Sequence, residues 1–179
     1  GKTLFNKSHR SLFNYSSHSI FVNEPIFKNQ LIAIVSFEGS LEKLRACLKS
    51  LISWVPQVMI TLPEGEETIK QIVNEFNVSI CSQRASSTQT RWESGLSQSN
   101  SQWALLIRSN EIITGQLRNA IAEKIKTTED DYCKYSLPKT MVFLNKRLKY
   151  PLDWHDSEPS YLIYIPHKIN SISQLKKKH

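Results

Sequence analysis

Residues 31–61, LIAIVSFEGSLEKLRACLKSLISWVPQVMIT, carry an apolar run, a helical repeat and a second apolar run in that order. LIAIVSF (31–37) is short, continuous and rich in Ile and Val, which suits a strand covered on both faces of a parallel sheet. Ser40 stands where a helix N-cap is wanted. Leu41, Leu44, Leu48, Leu51 and Ile52 then recur at helical spacing until Pro56 stops the pattern. QVMIT (57–61) is the next buried run, so the segment reads strand, helix, strand.

The same alternation continues outward. LPEGEE (62–67) supplies a turn, and Ile69, Ile72, Val73 and Phe76 at i, i+3, i+4 and i+7 define a second amphipathic helix. VSICSQ (78–83) reads as a third strand. The Ser-, Thr- and Gln-rich stretch 85–102 has weak helical periodicity around Trp92 and Leu96, and WALLI (103–107) is a fourth buried strand. Leu117, Ile121 and Ile125 repeat every four residues and place a helix near 115–127. Strand–helix alternation at these lengths predicts an α/β, mostly parallel, doubly wound sheet flanked by helices. Ligands of such sheets sit at the carboxyl ends of the strands, which points to loops 36–40, 62–67, 83–90 and 108–114. Beyond residue 130 the alternation fails. YCKYSLPKTMVFLNKRL (132–148) and SYLIYIPHKI (160–169) look extended and are expected to form a small strand-rich accessory layer. Residues 1–29, with one plausible strand in SIFV (19–22), read as an N-terminal extension to a domain spanning 30–179.

Chain totals narrow the class. At 179 residues, 40% apolar and 22% charged, the chain matches one folded domain, and no apolar run approaches the ~18–20 residues of a membrane span. The start shows no signal-peptide core, so a cytoplasmic location is expected, at the inner face of the membrane if an anchoring segment lies elsewhere. Cys47, Cys81 and Cys133 are widely spaced and odd in number, which argues against a disulfide framework or zinc site and for buried thiols. Sequons at Asn6, Asn14 and Asn77 carry no weight in so Asn- and Ser-rich a chain. The formal charge of +7 implies anionic company, although much of the excess sits in NKRLKY (145–150) and QLKKKH (174–179), where a solvated face or tail is the plainer reading. RNA-binding signatures are absent, and no nucleic-acid partner is expected.

The order of elements resembles the family-2 inverting glycosyltransferases of GT-A fold, especially the bacterial branch that builds lipopolysaccharide cores and other surface glycans. The segments that carry the likeness are LIAIVSFEGSLEKLRACLKSLISWVPQVMIT, then SQWALLIRSNEIIT (101–114), then FLNKRLKY (143–150) with the apolar strand after it, across roughly residues 30–170. The resemblance implies a GT-A-like (Rossmann-like) fold and hexosyl transfer from a nucleotide-diphosphate sugar. In that family an Asp-x-Asp element holds a divalent metal on the diphosphate, which meets the charge building on the leaving oxygen. An Asp at the end of the second strand contacts the nucleoside, and a later carboxylate acts as general base.

This sequence departs from that pattern. Arg108 and Asn110 occupy the Asp-x-Asp positions, with Ser109 between and Glu111 after. The Asp-rich turn is replaced by TLPEGEE (61–67), where the aligned Asp falls near Leu62, leaving Glu64, Glu66 and Glu67. The chain also stops about where the branch places its base and acceptor-binding part. No divalent-metal cofactor is therefore expected and no catalytic residue can be named. Arg108 admits two readings: a guanidinium binding the diphosphate in place of a metal, or a drifted residue paired with Glu111 or another surface acid. Arg84 and Arg91 flank the Ser/Thr-rich loop at a strand end, where anion binding competes with plain solvation. The nucleotide-sugar-binding candidates are Arg108, Asn110, Glu111, Arg84, Arg91 and Glu64. DWHDSE (153–158), with His155 between acids, reads as a solvent loop more readily than a metal site, and His9, His18, His167 and His179 have no evident partners.

Three function classes follow. The first is a glycosyltransferase-like domain of surface-polysaccharide biosynthesis, its nucleotide-sugar site weak, metal-independent or inactive. The second is a non-catalytic pseudo-enzyme that binds or scaffolds other protein domains or membrane-associated assembly proteins. The third, least favoured, is a basic nucleic-acid-binding α/β domain, for which steep salt dependence would be diagnostic.

Overall fold

The structure, a computed structural model, describes residues 30–84, 87–128, 133–139, 142–143, 146–147, 159–165 and 171–178. The extension 1–29, the DWHDSE stretch and His9, His18, His155, His167 and His179 lie outside the described residues. Strand β1 (Leu31–Ser36) leads to helix α1 (Leu41–Leu51), β2 (Gln57–Pro63), α2 (Lys70–Phe76), β3 (Ser79–Gln83), α3 (Thr88–Ser97), β4 (Trp103–Arg108) and α4 (Gly115–Thr127). The alternation read from the sequence is present element by element. Ser40 caps α1 by accepting the Lys43 N–H at 3.4 Å, and Thr114 caps α4 by accepting the Leu117 N–H at 3.2 Å.

After α4 come β5 (Cys133–Ser136), the hairpin strands β6 (Val142–Phe143) and β7 (Lys146–Arg147), β8 (Tyr161–Tyr164), a 3-10 turn at Ile172–Gln174 and β9 (Lys176–Lys178). The main sheet has seven strands in the order β3-β2-β1-β4-β8-β5-β9, with β6 and β7 paired apart from it. Strands β1 to β4 run parallel, β8 is antiparallel to both β4 and β5, and β9 is parallel to β5. The strand-rich C-terminal part thus extends the sheet from β4 through β8.

Alternate residues of β1 and β4 serve two cores. Leu31, Ala33 and Val35 with Leu105 and Ile107 meet Leu44, Leu48 and Leu51 of α1, Ile72 of α2 and Ile121 and Ile125 of α4. Ile32 and Ile34 with Ala104 and Leu106 meet Trp92 and Leu96 of α3 on the opposite face. Each fully buried Leu or Ile in these layers contributes about 1.5–3 kcal/mol relative to exposure. Helix α3 sits very close to the sheet at Gly95, where a Cβ would lie 2.8 Å from Ile34 Cγ2 and 3.1 Å from Thr61 Cγ2. Only glycine allows that approach, and it brings Trp92 fully under cover.

Candidate functional site

Strand order reverses between β1 and β4, since β2 and β3 continue to one side of β1 and β4 lies on the other. Such a switch point opens a crevice at the carboxyl ends of the two strands, where α/β sheets bind ligands. Ser36 and Arg108 are register partners there. Both continue the sheet face of Ile34 and Leu106, so both look toward α3.

Two charged clusters meet at this edge. The first comes from α3 and the loop after β1. Arg91 is 6% exposed, on the inner face of α3. Its Nε and Nη2 donate to Ser36 Oγ at 3.0 and 2.8 Å, and Nη2 also donates to Glu38 Oε1 at 3.2 Å. Ser36 Oγ and Thr88 Oγ1 donate to the same carboxylate at 3.0 and 3.3 Å. The sequence places Arg91 at the flank of a Ser/Thr-rich strand-end loop, open to an anion or to solvent; in the structure it is buried on α3, because the Ser87 N-cap starts the helix before it and turns Arg91 inward.

The second cluster surrounds Glu111. Its Oε2 accepts the Arg108 backbone N–H at 3.0 Å and the Ser160 hydroxyl at 2.5 Å. Its Oε1 pairs with Lys139 Nζ at 2.6 Å and with Arg108 Nη1 at 3.7 Å. Lys139 follows β5 and Ser160 precedes β8, and both reach the crevice because those strand ends share its edge with β4. The Arg108 guanidinium lies 5.1 Å from the Trp92 ring centroid, a cation–π position, while Trp92 Nε1 donates to the Ile107 carbonyl at 3.0 Å. The 3.7 Å separation from Glu111 is too long for a hydrogen bond, and Arg108 Nη1 is buried with no hydrogen-bond acceptor. Two cations share one carboxylate here, which leaves one formal positive charge.

Ser109 joins the two clusters. It is buried; its N–H donates to the Ser36 carbonyl at 2.8 Å and its Oγ accepts the Glu38 N–H at 2.8 Å. Asn110, next to it, is exposed at the turn. Beneath the cluster the Cys47 thiol donates to the Arg108 carbonyl at 3.7 Å, and burial, with a smaller contribution from the Glu111 charge, pushes its pKa up to about 12. A protonated structural thiol follows. All three cysteines are free and buried.

The remaining candidates stand apart. Arg84 Nε pairs with Glu64 Oε2 at 2.7 Å, but the two side chains are 90% and 58% exposed, so the pair adds little stability. It lies at the ends of β2 and β3 and does not join the Arg91 and Arg108 clusters. Glu66 accepts from Thr68, and Glu67 pairs with Lys70 at 2.8 Å, which holds its carboxyl below the usual range. Glu38, Ser36, Lys139 and Ser160 are site residues that sequence reading left unnamed. Of these Ser36 and Glu38 had a signal, their place in the 36–40 strand-end loop. Among the described residues no group of three or more His, Cys, Asp or Glu side chains could hold a metal ion, and no helix is long and apolar enough to cross a membrane.

No family model matches the chain, and no curated protein matches its sequence significantly. Solved structures do. S. aureus TarS 1–349 superposes with a TM-score of 0.50 at 17% identity, over 76% of this chain and 47% of that one. The fold is GT-A-like. The chain spans about half the length of that TarS fragment. A CMP:2-keto-3-deoxy-manno-octonic acid synthetase complexed with CTP (TM-score 0.44, 10% identity, 76% of this chain and 74% of that one) and the bifunctional IspDF of Campylobacter jejuni (TM-score 0.45, 12% identity, 76% and 40%) are also similar.

Proposed function

We propose that residues 30–179 form a family-2-like glycosyltransferase domain of surface-glycan assembly whose crevice binds the diphosphate of a nucleotide sugar without a metal. The observation that carries this reading is the buried Arg108 Nη1, which has no hydrogen-bond acceptor and sits at the switch point beside a second buried guanidinium, Arg91. A diphosphate oxygen would satisfy that donor and the residual positive charge left by Arg108 and Lys139 on Glu111. The GT-A-like fold supports the location, and the resemblance in sequence supports the ligand class.

A divalent cation does not suit these residues. The loop 108–114 offers a single carboxylate, Glu111, and two cations already hold it; a metal would have to displace them and lie against a guanidinium. Hexosyl transfer would further need a carboxylate free to take the acceptor proton, whereas Glu38 and Glu111 are both tied to cations. Nucleotide binding with weak or no catalysis is accordingly the reading preferred. If binding is absent, the scaffold reading, with other domains or membrane-associated assembly proteins as partners at the inner membrane face, takes its place.

The test is a thermal-shift titration with UDP, GDP, CDP, TDP and their sugars, with Mn²⁺ and with EDTA. A nucleotide at 100 times its Kd stabilises the fold by about 2.7 kcal/mol. The expected result is a shift that persists in EDTA and is lost in Arg108→Ala. A shift that appears only with Mn²⁺ refutes the metal-free reading, and no shift with any nucleotide refutes binding.

A further inference from the structure

A second concavity lies at the opposite edge of the sheet, where β1, β2, β3 and β4 begin. It is a cleft of about 590 Å³, within the size range of small-ligand sites, with Ile32 and Met59 at its floor and Pro56 and Val58 along its edge. Its rim carries the amides of Gln57, Asn77, Gln98 and Asn100. Three hydroxyls, Ser79, Ser99 and Ser101, complete it. None of these residues is ionisable, in contrast to the cation-rich crevice at the carboxyl edge.

The cleft exists because α3 covers the sheet only as far as Leu96. The turn 98–101 then runs back to β4 and leaves the first residues of β2 and β3 open on that face. Its polar groups are only partly used. Ser101 is 5% exposed, and its buried hydroxyl has no hydrogen-bond partner. Gln98 Nε2 donates to the Cys81 sulfur at 3.1 Å, a weak acceptor, and the Ser79 hydroxyl reaches the Val58 carbonyl at a long 3.3 Å. A buried hydroxyl without a partner is costly in a fold, and a ligand that completes it recovers that cost.

We propose that this cleft is a binding site for a neutral saccharide unit, separate from the nucleotide crevice and independent of whether that crevice binds. Amides and hydroxyls that both donate and accept match the vicinal hydroxyls of a sugar, and the apolar floor suits its C–H face. The absence of charged side chains among the described lining residues disfavours phosphates, carboxylates and nucleotides. A domain handling glycan chains would use such a site to hold part of an acceptor or product.

The experiment is a ¹H–¹⁵N correlation titration of the full chain with maltotriose, chitotriose and mannotriose, each raised to about 20 mM, above the millimolar Kd expected of a small neutral ligand. At least one trisaccharide should move the side-chain amide signals of Gln57, Asn77, Gln98 and Asn100 together and saturably. Ser101→Ala, which removes an unpaired hydroxyl and should fold normally, should weaken that affinity about fivefold or more, the effect of one lost hydrogen bond. Gln57→Lys, an exposed change at the rim, should abolish it. The proposal is overturned if all three sugars leave these amides unmoved, if the shifts are unsaturable or scattered over the surface, or if UDP moves the same amides instead.

Discussion

Replacing Glu111 by glutamine removes the one negative charge shared by Arg108 and Lys139 while keeping the shape. The substituted amide oxygen can still accept the Arg108 N–H and the Ser160 hydroxyl, but the amide NH2 then faces Lys139, so the loss is the charge together with the Lys139 hydrogen bond. Its size is bracketed by two regimes: exposed pairs contribute about 0.2–1 kcal/mol, and breaking a buried pair costs about 3–5 kcal/mol. With side chains 19%, 19% and 13% exposed for Glu111, Lys139 and Arg108, the site lies nearer the buried regime, and a loss of about 2 kcal/mol is expected in urea unfolding. Because the lost interaction is ionic, the difference should shrink in high salt. The double variant Glu111→Gln/Lys139→Met should recover about 1 kcal/mol relative to the sum of the singles, since it removes both charged partners. The same substitution should act oppositely on ligand binding. Freed of their carboxylate, Arg108 and Lys139 attract a diphosphate more strongly, by about 1 kcal/mol or roughly fivefold in Kd. Additivity of the two substitutions within about 0.3 kcal/mol would refute the coupling drawn between Glu111 and Lys139. Weaker nucleotide binding in Glu111→Gln would refute the view that the carboxylate competes with the ligand.

Other outcomes follow from single contacts. Gly95→Ala, normally worth about 1 kcal/mol in helix propensity, should instead destabilise by about 1–3 kcal/mol because its Cβ meets Ile34 at 2.8 Å, and Gly95→Ala/Ile34→Val should regain part of it in thermal melts. Arg91→Met should cost about 2–4 kcal/mol by leaving Glu38 without its cation, and Arg91→Lys should rescue it poorly, since one ammonium cannot reproduce the guanidinium fork to Ser36 and Glu38; full rescue by Lys would contradict this. Cys47 should resist thiol reagents in the folded protein at pH 8. Its folded pKa of about 12 stands above the ordinary value of 9.0, so above pH 9 the unfolded chain sheds a proton that the folded chain keeps. Stability present below pH 9 is then lost at about 1.4 kcal/mol per pH unit toward pH 12. Subtracting the profile of Cys47→Ala should isolate that slope, and identical profiles for the two proteins would refute it.

Local periodicity carried the fold because each of its signals acts within one element. Ile and Val runs, the Ser40 cap and the leucine spacing of α1 bias the backbone over a few residues, and the structure keeps them all. Helix α3 was faint in the sequence for a physical reason. Its contact face uses Gly95 and Arg91 beside Trp92 and Leu96, so close approach and a buried ion pair do work that apolar periodicity would otherwise reveal. The strand-end loops were legible, and with them the crevice, because carboxyl ends of parallel strands converge whatever their side chains.

What occupies that crevice was decided by contacts between residues far apart in the chain. Arg108 and Glu111 form a pair that spacing suggests, yet Lys139 and Ser160 join them only because β8 runs antiparallel between β4 and β5 and returns both to the same edge. Likewise Glu38 meets Arg91 across 53 positions of sequence. By itself the sequence determined the α/β alternation, the parallel core and the single carboxylate of the 108–114 loop, since these are properties of residue type and short-range order. Only the tertiary structure decided which cations are neutralised, which guanidinium nitrogen is left without an acceptor and where a cleft opens whose described lining carries no charge, because charge balance and desolvation depend on neighbours that no local window contains.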